Sequence, residues 1–131
     1  MKEHTILVVD DQKGIRSLIT EALQEESYQV CSAGGGIEAL ALLQKVKPDL
    51  IILDMKLPGM SGLEINKEVA LLDPNIPVVL MTAYGDLNKI NNLKEHGIKY
   101  FLPKPFDIAD LKKLVSSILR PQAKKYMLRF T

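Results

Sequence analysis

Four apolar runs in this chain each end in a side chain that could act on a phosphoryl group. The runs and the groups that follow them are residues 6–9 with Asp10 and Asp11, residues 50–53 with Asp54, residues 78–81 with Thr82, and residues 100–103 with Lys104. In a parallel sheet the C-terminal strand ends share one edge, and ligands of open α/β sheets bind there. Three carboxylates, a hydroxyl and an ammonium would therefore meet in one crevice, a set that suits a divalent cation and a phosphoryl group.

The three carboxylates of this set predict a metal site. Carboxylates at the ends of buried strands are costly unless they are paired or bound to metal. Two of them about 5 Å apart repel by roughly 3 kcal/mol at an effective dielectric of about 20. Oxygen ligation with room for water favours Mg²⁺ over Zn²⁺ and also accommodates Mn²⁺. We therefore expect Asp10, Asp11 and Asp54 to hold Mg²⁺ or Mn²⁺, with a loop carbonyl just beyond Asp54 as a further ligand.

Asp54 is the predicted nucleophile of the set. It follows the third strand, which the fold places centrally, whereas Asp10 and Asp11 share one turn and suit the metal. A phosphoryl group on Asp54 would lie within reach of Lys104 and Thr82, and such transfer needs little beyond positioning and electrostatics. A cis Lys104–Pro105 peptide would aim the lysine ammonium inward, because X-Pro bonds adopt cis at low cost.

The elements that must position these groups alternate strand and helix five times. That order predicts an α/β fold, a (βα)5 doubly wound parallel five-stranded sheet with helices on both faces. Continuous apolar runs are what strands buried on both faces require. Apolar stripes at helical spacing are Ile15, Leu18, Ile19, Ala22 and Leu23 in the first helix, and Ile108, Leu111, Val115 and Ile118 in the last.

Local signals mark the ends of several predicted helices. Ser61 followed by Glu64 predicts a capping box for the third helix, and Asp107 is the expected N-cap of the last. Gly97 would end the fourth helix, at residues 86–96. That helix is rich in asparagine, so it is either a polar surface helix or an element that shifts between signalling states.

Length, charge and cysteine content limit the classes of protein to which this chain can belong. The 131 residues fit one domain, and a net charge of +1 argues against a nucleic-acid surface. No apolar run approaches the roughly 20 residues that span a bilayer, and one cysteine allows no internal disulfide. The N-terminus leads straight into the first strand without a signal peptide, so we expect a cytoplasmic protein. Residues 120–131 are expected to be a short tail with no output domain, frayed, loosely docked or packed on a neighbouring chain.

The motifs resemble the receiver domains of two-component response regulators. The similarity rests on Asp10-Asp11, residues 54–62, Thr82-Ala83 and residues 104–106, and it spans a domain at residues 4–119. It implies a flavodoxin-like receiver fold with strand order 2-1-3-4-5. It also implies that Asp54 is the phosphoacceptor, that Asp10, Asp11, Asp54 and the Lys56 backbone carbonyl bind Mg²⁺, and that Lys104 and Thr82 contact the phosphoryl group. Phe101 would be the switch aromatic that acts with Thr82, where many family members have tyrosine.

Residues 10–16, 54–56, 81–85 and 104–108 further resemble the single-domain response regulators of sporulation phosphorelays. That resemblance implies that Asp54 accepts a phosphoryl group from a sensor histidine kinase and passes it to a histidine phosphotransferase. The chain would then be a carrier that catalyses transfer to its own aspartate, and not an enzyme acting on a small molecule. The alternative is a stand-alone or excised receiver of a transcriptional regulator, controlled by phosphorylation-dependent dimerisation.

A partner surface is expected around the polar crevice. Its residues are Gln12, Gly14, Ile15, Leu18, Lys56, Tyr84, Pro105 and Phe106. An apolar rim suits docking of a helical histidine carrier, although Ile15 and Leu18 could equally be core residues. Lys56 and Tyr84 would shield the phosphoryl group from water, or else be incidental rim residues. We expect a monomer that binds neither nucleic acid nor membrane, with a response-regulator phosphatase as a further partner.

Two other classes of function fit the residues less well. A multi-turnover Mg²⁺ phosphatase with an aspartate nucleophile usually needs a second acid two residues later, where this chain has Lys56. Gly34-Gly35-Gly36 follows the second strand, so it predicts a turn and not a dinucleotide-binding loop. Asp10 and Asp11 after the first strand would repel the phosphate of a flavin or nucleotide.

Overall fold

A computed structural model describes residues 3–83 and 97–121, and it has one parallel sheet with helices on both faces. In chain order the elements are β1 (Thr5–Val9), α1 (Lys13–Glu25), β2 (Gln29–Ala33), α2 (Gly36–Leu43), β3 (Leu50–Asp54), α3 (Gly62–Leu72), β4 (Val78–Thr82), β5 (Tyr100–Pro103) and α4 (Ile108–Leu119). The strand order is β2-β1-β3-β4-β5. The predicted fold class and strand order are confirmed. The helix predicted at residues 86–96, and the tail beyond residue 121, lie outside the described residues.

The central strands are apolar on both faces because each face is covered by helices. All residues of β3 and β4 are buried, as are the last four of β1. Alternate residues point into two core layers. One layer joins Leu7, Val9, Ile51 and Leu53 to Ala39, Ile65 and Val69 of α2 and α3, and the other joins Ile6, Val8, Ile52 and Met81 to Ile19, Leu23, Leu111 and Val115 of α1 and α4. This sandwich fixes the strand register.

The register brings the polar strand ends to one edge of the sheet. Val9 pairs with Leu53, so Asp10, directly after β1, and Asp54, the last residue of β3, lie at the same level. Thr82, the last residue of β4, pairs with Pro103, which places Lys104 beside it. The Lys104 backbone N–H donates to the Thr82 carbonyl at 2.7 Å. The sheet therefore carries all four polar strand ends to the same edge.

Two of the predicted helix starts lie where the sequence placed them. The Ser61 hydroxyl accepts a hydrogen bond from the Glu64 backbone N–H at 3.2 Å and donates to the Glu64 carboxylate, so the start of α3 is capped by this pair. Asp107 occupies the N-cap position of α4, but its side chain makes no capping hydrogen bond. Gly97 has φ +79°, the left-handed region that glycine adopts without strain.

The first helix departs from the predicted stripe at its N-terminal end. Ile19, Ala22 and Leu23 are buried, as expected. Leu18 is 50% exposed, and Ile15 is only partly buried against the core. Leu18 is therefore not a core residue, although it shares the helical spacing of the others. None of the described helices is both long enough and apolar enough to cross a membrane.

Candidate functional site

Three carboxylates meet at the C-terminal edge of β1 and β3. Oxygens of Asp10, Asp11 and Asp54 lie within 4.8 Å of one another. Asp10 is fully buried and Asp54 is 8% exposed, whereas Asp11 is exposed to solvent. Neighbouring strands end at the same level here, so residues 44 positions apart in the chain share one pocket.

The Lys104 ammonium bridges two of these carboxylates. Its Nζ donates to Asp10 Oδ2 at 3.0 Å and lies 3.4 Å from Asp54 Oδ2. The Lys104–Pro105 peptide is cis, as the sequence predicted. The second oxygen of Asp10, Oδ1, accepts from the Gln12 backbone N–H at 2.8 Å. Asp10 therefore has donors on both carboxylate oxygens.

Among the described residues, the pocket brings three carboxylates together with one ammonium that contacts two of them. Burial raises the pKa of the Asp54 carboxyl above its usual value; the Lys104 charge opposes this rise and the Asp10 charge adds to it. Burial lowers the pKa of Lys104, but its hydrogen bond to Asp10 and the charge of Asp54 outweigh burial and raise it overall. One ammonium can neutralise only one of three carboxylates. The donor set of the pocket therefore fits a hard divalent cation.

Thr82 supplies a second sign that the pocket takes a ligand. It ends β4, is fully buried, and its hydroxyl has no hydrogen-bond partner among residues 3–83 and 97–121. Leaving a buried hydroxyl unpaired costs about 1–3 kcal/mol. An oxygen-rich ligand between Thr82 and Asp54 would remove that cost.

The loop after β3 lies against the Asp54 side chain. The Lys56 backbone N–H is 3.4 Å from Asp54 Oδ1, a long contact. The Lys56 peptide is therefore beside the carboxylate, while the residue as a whole is exposed. Gly62 at the start of α3 closes the 54–62 motif, but its residue type alone did not indicate a role. A Cβ there would collide with the Asp54 carbonyl oxygen and lie 2.8 Å from the Met55 Cα, so only glycine allows this approach.

Phe101 lies in β5, apart from the polar pocket. It pairs in register with Leu80 and packs, partly buried, against the core layer formed with α2 and α3. Thr82 is two residues beyond Leu80 on the neighbouring strand. The structure therefore brings oxygens of Asp10, Asp11 and Asp54 within 4.8 Å of one another, with Lys104 bridging Asp10 and Asp54. Thr82 ends its strand at the same edge, and Phe101 pairs with Leu80 in the sheet.

An apolar cavity of about 380 Å³ adjoins the Lys104 side of the pocket. It is lined by Ile15, Leu18, Ala83, Lys104, Pro105 and Phe106. Ala83 was missed as a surface residue because alanine after a strand carries no chemical signal. Gln12 and Gly14 are exposed at the start of α1 but do not line this cavity, whereas Tyr84 lies outside the described residues. The predicted apolar rim therefore exists on the α1 side of the crevice.

Comparison with known proteins returned one consistent set of relatives. Residues 6–116 match the response regulator receiver domain. The chain is 46% identical over 119 residues to sporulation initiation phosphotransferase F of Bacillus subtilis, covering 91% of this chain and 96% of that protein. It is 36% identical to the DNA-binding transcriptional regulator NtrC of Salmonella typhimurium, covering 88% of this chain but 24% of that protein.

Solved structures agree with these sequence matches. The chemotaxis protein CheY4 of Vibrio cholerae superposes with a TM-score of 0.84 at 33% identity, covering 90% of this chain and 100% of that chain. The receiver domain of NtrX from Brucella abortus superposes with a TM-score of 0.82 at 31% identity, covering 87% of this chain and 97% of that chain.

Proposed function

The chain belongs to the response regulator receiver domain family, and from that premise we propose that it is a phosphorelay intermediate. Asp54 accepts a phosphoryl group from a sensor histidine kinase and passes it to a histidine phosphotransferase. The observation that carries the proposal is the pocket in which Asp54, Lys104 and Thr82 converge. The similarity to sporulation initiation phosphotransferase F over 96% of that protein favours a relay role. The acting unit in this proposal is the receiver domain at residues 4–119.

The proposed reaction is a displacement at phosphorus. A carboxylate oxygen of Asp54 attacks the phosphorus of a phosphohistidine, the P–N bond breaks, and its electron pair stays on the imidazole nitrogen. The product is an acyl phosphate on Asp54. Lys104, whose ammonium is 3.4 Å from Asp54 Oδ2, would donate to the new phosphoryl oxygens, and the Thr82 hydroxyl would gain the partner it lacks. Return transfer reverses these steps with a second histidine.

The carboxylates of Asp10, Asp11 and Asp54 would hold Mg²⁺ or Mn²⁺, together with the Lys56 carbonyl. A bound divalent ion would supply neutralisation of the charge on the transferring phosphoryl group. The role of Asp10 would be to hold both this ion and the Lys104 ammonium, which it contacts at 3.0 Å. Asp11 would complete the site from its solvent side.

The apolar cavity beside Lys104 is the proposed docking surface for the histidine carrier. Half-exposed Leu18, together with Ile15, Pro105 and Phe106, would receive an apolar face of a helix that carries the histidine. A helix bound at this surface would place the imidazole of its histidine near Asp54, with the Lys104 ammonium between the surface and Asp54. A response-regulator phosphatase would compete for the same surface.

Phosphorylation is proposed to change the surface through Thr82 and Phe101. Thr82 would move toward the phosphoryl group, and Phe101 would turn into the space it leaves. The acyl phosphate carries about two negative charges where the Asp54 carboxylate carried one, and its three acceptor oxygens provide the differential interaction that such a shift needs. Phenylalanine at position 101 would make the switch depend on packing alone, without a tyrosine hydroxyl.

A second candidate function is the receiver of a transcriptional regulator that dimerises on phosphorylation. The 36% identity to NtrC favours it, with this chain spanning 24% of that protein's length. The two candidates differ in what happens after Asp54 is loaded. A relay returns its phosphoryl group to a histidine, whereas a regulator's receiver holds it and self-associates.

Phosphotransfer in both directions tests the proposal. A phosphorylated histidine phosphotransferase is mixed with the wild type or with Asp54→Asn, with Mg²⁺ or EDTA, and the label is then chased back. We expect loading that needs both Asp54 and Mg²⁺, followed by return transfer. Loading followed only by hydrolysis would contradict the relay role, and loading of Asp54→Asn would contradict the assigned acceptor.

A further inference from the structure

Arg16 holds the backbone of the turn that carries two of the three carboxylates. Its Nη1 donates to the Asp10 carbonyl oxygen at 2.7 Å, from the first turn of α1. On the other side, the Asp10 backbone N–H donates to the Ala33 carbonyl at 3.2 Å, at the end of β2. The Asp10 backbone is therefore tied both to the neighbouring strand and to the following helix.

The guanidinium of Arg16 lies against the turn between β2 and α2. A Cβ added to Gly34 would be 3.3 Å from Arg16 Nη1 and 3.6 Å from Glu38 Oε2. Glu38 Oε2 itself accepts from the Gly34 backbone N–H at 2.9 Å. Arg16 thus lies between the Asp10 carbonyl and the turn at Gly34, and a side chain at position 34 would crowd its guanidinium.

We propose that Arg16 is a positioning residue for the metal site. This inference rests on the metal-binding step of the proposed function. The Asp11 side chain is exposed, so the direction of its carboxylate depends on the peptide that joins it to Asp10. Arg16 fixes that peptide by binding its oxygen. Mg²⁺ demands near-ideal octahedral geometry, so a looser turn would bind it less tightly.

If Arg16 positions the turn, removing it should weaken Mg²⁺ binding, whereas if it acts only through its charge, removing it should strengthen Mg²⁺ binding. A guanidinium near a cation site repels the cation, so removing it would tighten Mg²⁺ binding if charge were its only effect. If Arg16 holds the turn, removing it weakens binding instead. Loss of groups that orient metal ligands typically costs 10–100-fold in metal affinity. The sign of the change therefore separates the two roles.

The test is a Mg²⁺ titration of the whole chain, followed by the backbone amide resonances of residues 10–12. We expect the Mg²⁺ Kd to rise about 10-fold in Arg16→Met, with a smaller rise in Arg16→Lys. Arg16→Lys keeps the charge but has a shorter reach and one point donor, and it guards against loss of folding in the methionine variant. The Asp10 carbonyl carbon resonance should shift in both variants, reporting the lost hydrogen bond.

Two glycine variants in the same turn form a matched pair. Gly34→Ala should weaken Mg²⁺ binding in the same direction as Arg16→Lys, because its Cβ crowds Nη1. Gly35→Ala places its Cβ in open space, with nothing within 4 Å. It occupies the N-cap of α2, so it should lower stability slightly without changing the Mg²⁺ Kd.

An unchanged or lower Kd in Arg16→Met would overturn the positioning role while leaving the proposed function intact. An equal rise in Gly35→Ala would also overturn it, because the effect would then follow stability and not the guanidinium. A wild type that fails to bind Mg²⁺ would overturn the metal-binding step itself, and this inference with it.

Discussion

At the residue scale, the three carboxylates of the site differ in how the protein supports them. Asp10 is fully buried but has a donor on each oxygen, from Gln12 and Lys104. Asp54 is nearly as buried, and its pKa is raised mainly by that burial. Asp11 reaches solvent. Neutralising each of them should therefore have a different consequence.

Asp54→Asn should raise the free energy of unfolding of the metal-free protein, and Asp10→Asn should not. The first substitution removes a buried charge that is poorly compensated, whereas the second removes the hydrogen-bonded partner of Lys104. Urea unfolding in EDTA measures the difference. Equal stabilisation by the two variants would show that crowding of the carboxylates, and not their individual contacts, sets the cost.

Thr82→Val should stabilise the fold and slow phosphoryl transfer. The hydroxyl is buried without a partner among the described residues, so valine should raise the free energy of unfolding by about 1 kcal/mol. Transfer to Asp54 should fall because the donor to the phosphoryl group is lost. Thr82→Ser keeps the hydroxyl and is the control; transfer at the wild-type rate in Thr82→Val would contradict the assigned contact.

At the element scale, α1 serves two surfaces at once. Its buried residues, Ile19, Ala22 and Leu23, pack on the sheet, while Leu18 at its first turns faces the cavity beside Lys104. The C-terminal end of α1 is tied to α4, because Lys112 contacts Glu25 at 3.3 Å and Glu26 at 3.4 Å. The helix α1 therefore carries part of the proposed docking surface near its start and contacts α4 near its end.

Leu18→Ala and Ile19→Ala should separate docking from folding. Leu18 is half exposed, so its truncation should change the free energy of unfolding by no more than about 0.5 kcal/mol. Ile19 is fully buried, and its truncation should cost about 2–5 kcal/mol. Only Leu18→Ala should weaken binding of the histidine phosphotransferase while stability is kept. Calorimetric titration and urea unfolding give the two readouts, and undiminished binding would remove Leu18 from the docking surface.

The stabilisation that the Lys112 ion pairs provide between α1 and α4 should depend on pH. The hydrogen bond to Glu25 raises the pKa of Lys112 above its usual value, so the folded state holds this proton more tightly than the unfolded state. The stabilisation is therefore complete below about pH 10.5, the unfolded-state pKa, and is lost as pH rises through the folded value. Lys112→Met should lower the unfolding midpoint slightly at pH 7, and the difference from wild type should vanish at high pH and shrink in high salt.

At the scale of the whole molecule, two core layers enclose one parallel sheet of the described residues and bring its polar strand ends to one edge. Alternate residues of β1 and β3 enter opposite layers, so a shift of register by one residue would exchange both layers and move Asp10 away from Asp54. The site and the core are therefore specified by the same register. Chemistry at the edge depends on packing throughout the sheet.

The relay proposal predicts that the chain stays monomeric when it is phosphorylated. A carrier must expose the surface beside Lys104 to a histidine in turn on two partners, so self-association there would block transfer. Sedimentation with and without a phosphoryl mimic and Mg²⁺ should give one monomeric species at micromolar concentration. Dimerisation that depends on the mimic would favour the regulator receiver instead.

The sequence by itself determined the described elements and the chemical types at the strand ends. Continuous apolar runs, helical spacing and the Ser61–Glu64 pair are local signals, and each predicted an element that the structure contains. The Asp10, Asp54 and Lys104 cluster also followed from topology, because parallel strands end at a common edge. The elements depend on residues within a few positions of one another, and the cluster depends on the parallel direction of the strands.

Only the tertiary structure decided how neighbouring elements share space. Helical spacing left Leu18 open between the core and the partner surface, and the structure places it half exposed at the cavity beside Lys104. The Arg16 contact with the Asp10 carbonyl, beside Gly34, has no periodic signal, because it depends on how α1 sits against the turn after β2. Spacing reports which face of an element is apolar, whereas distances between elements are set by packing, which no local pattern encodes.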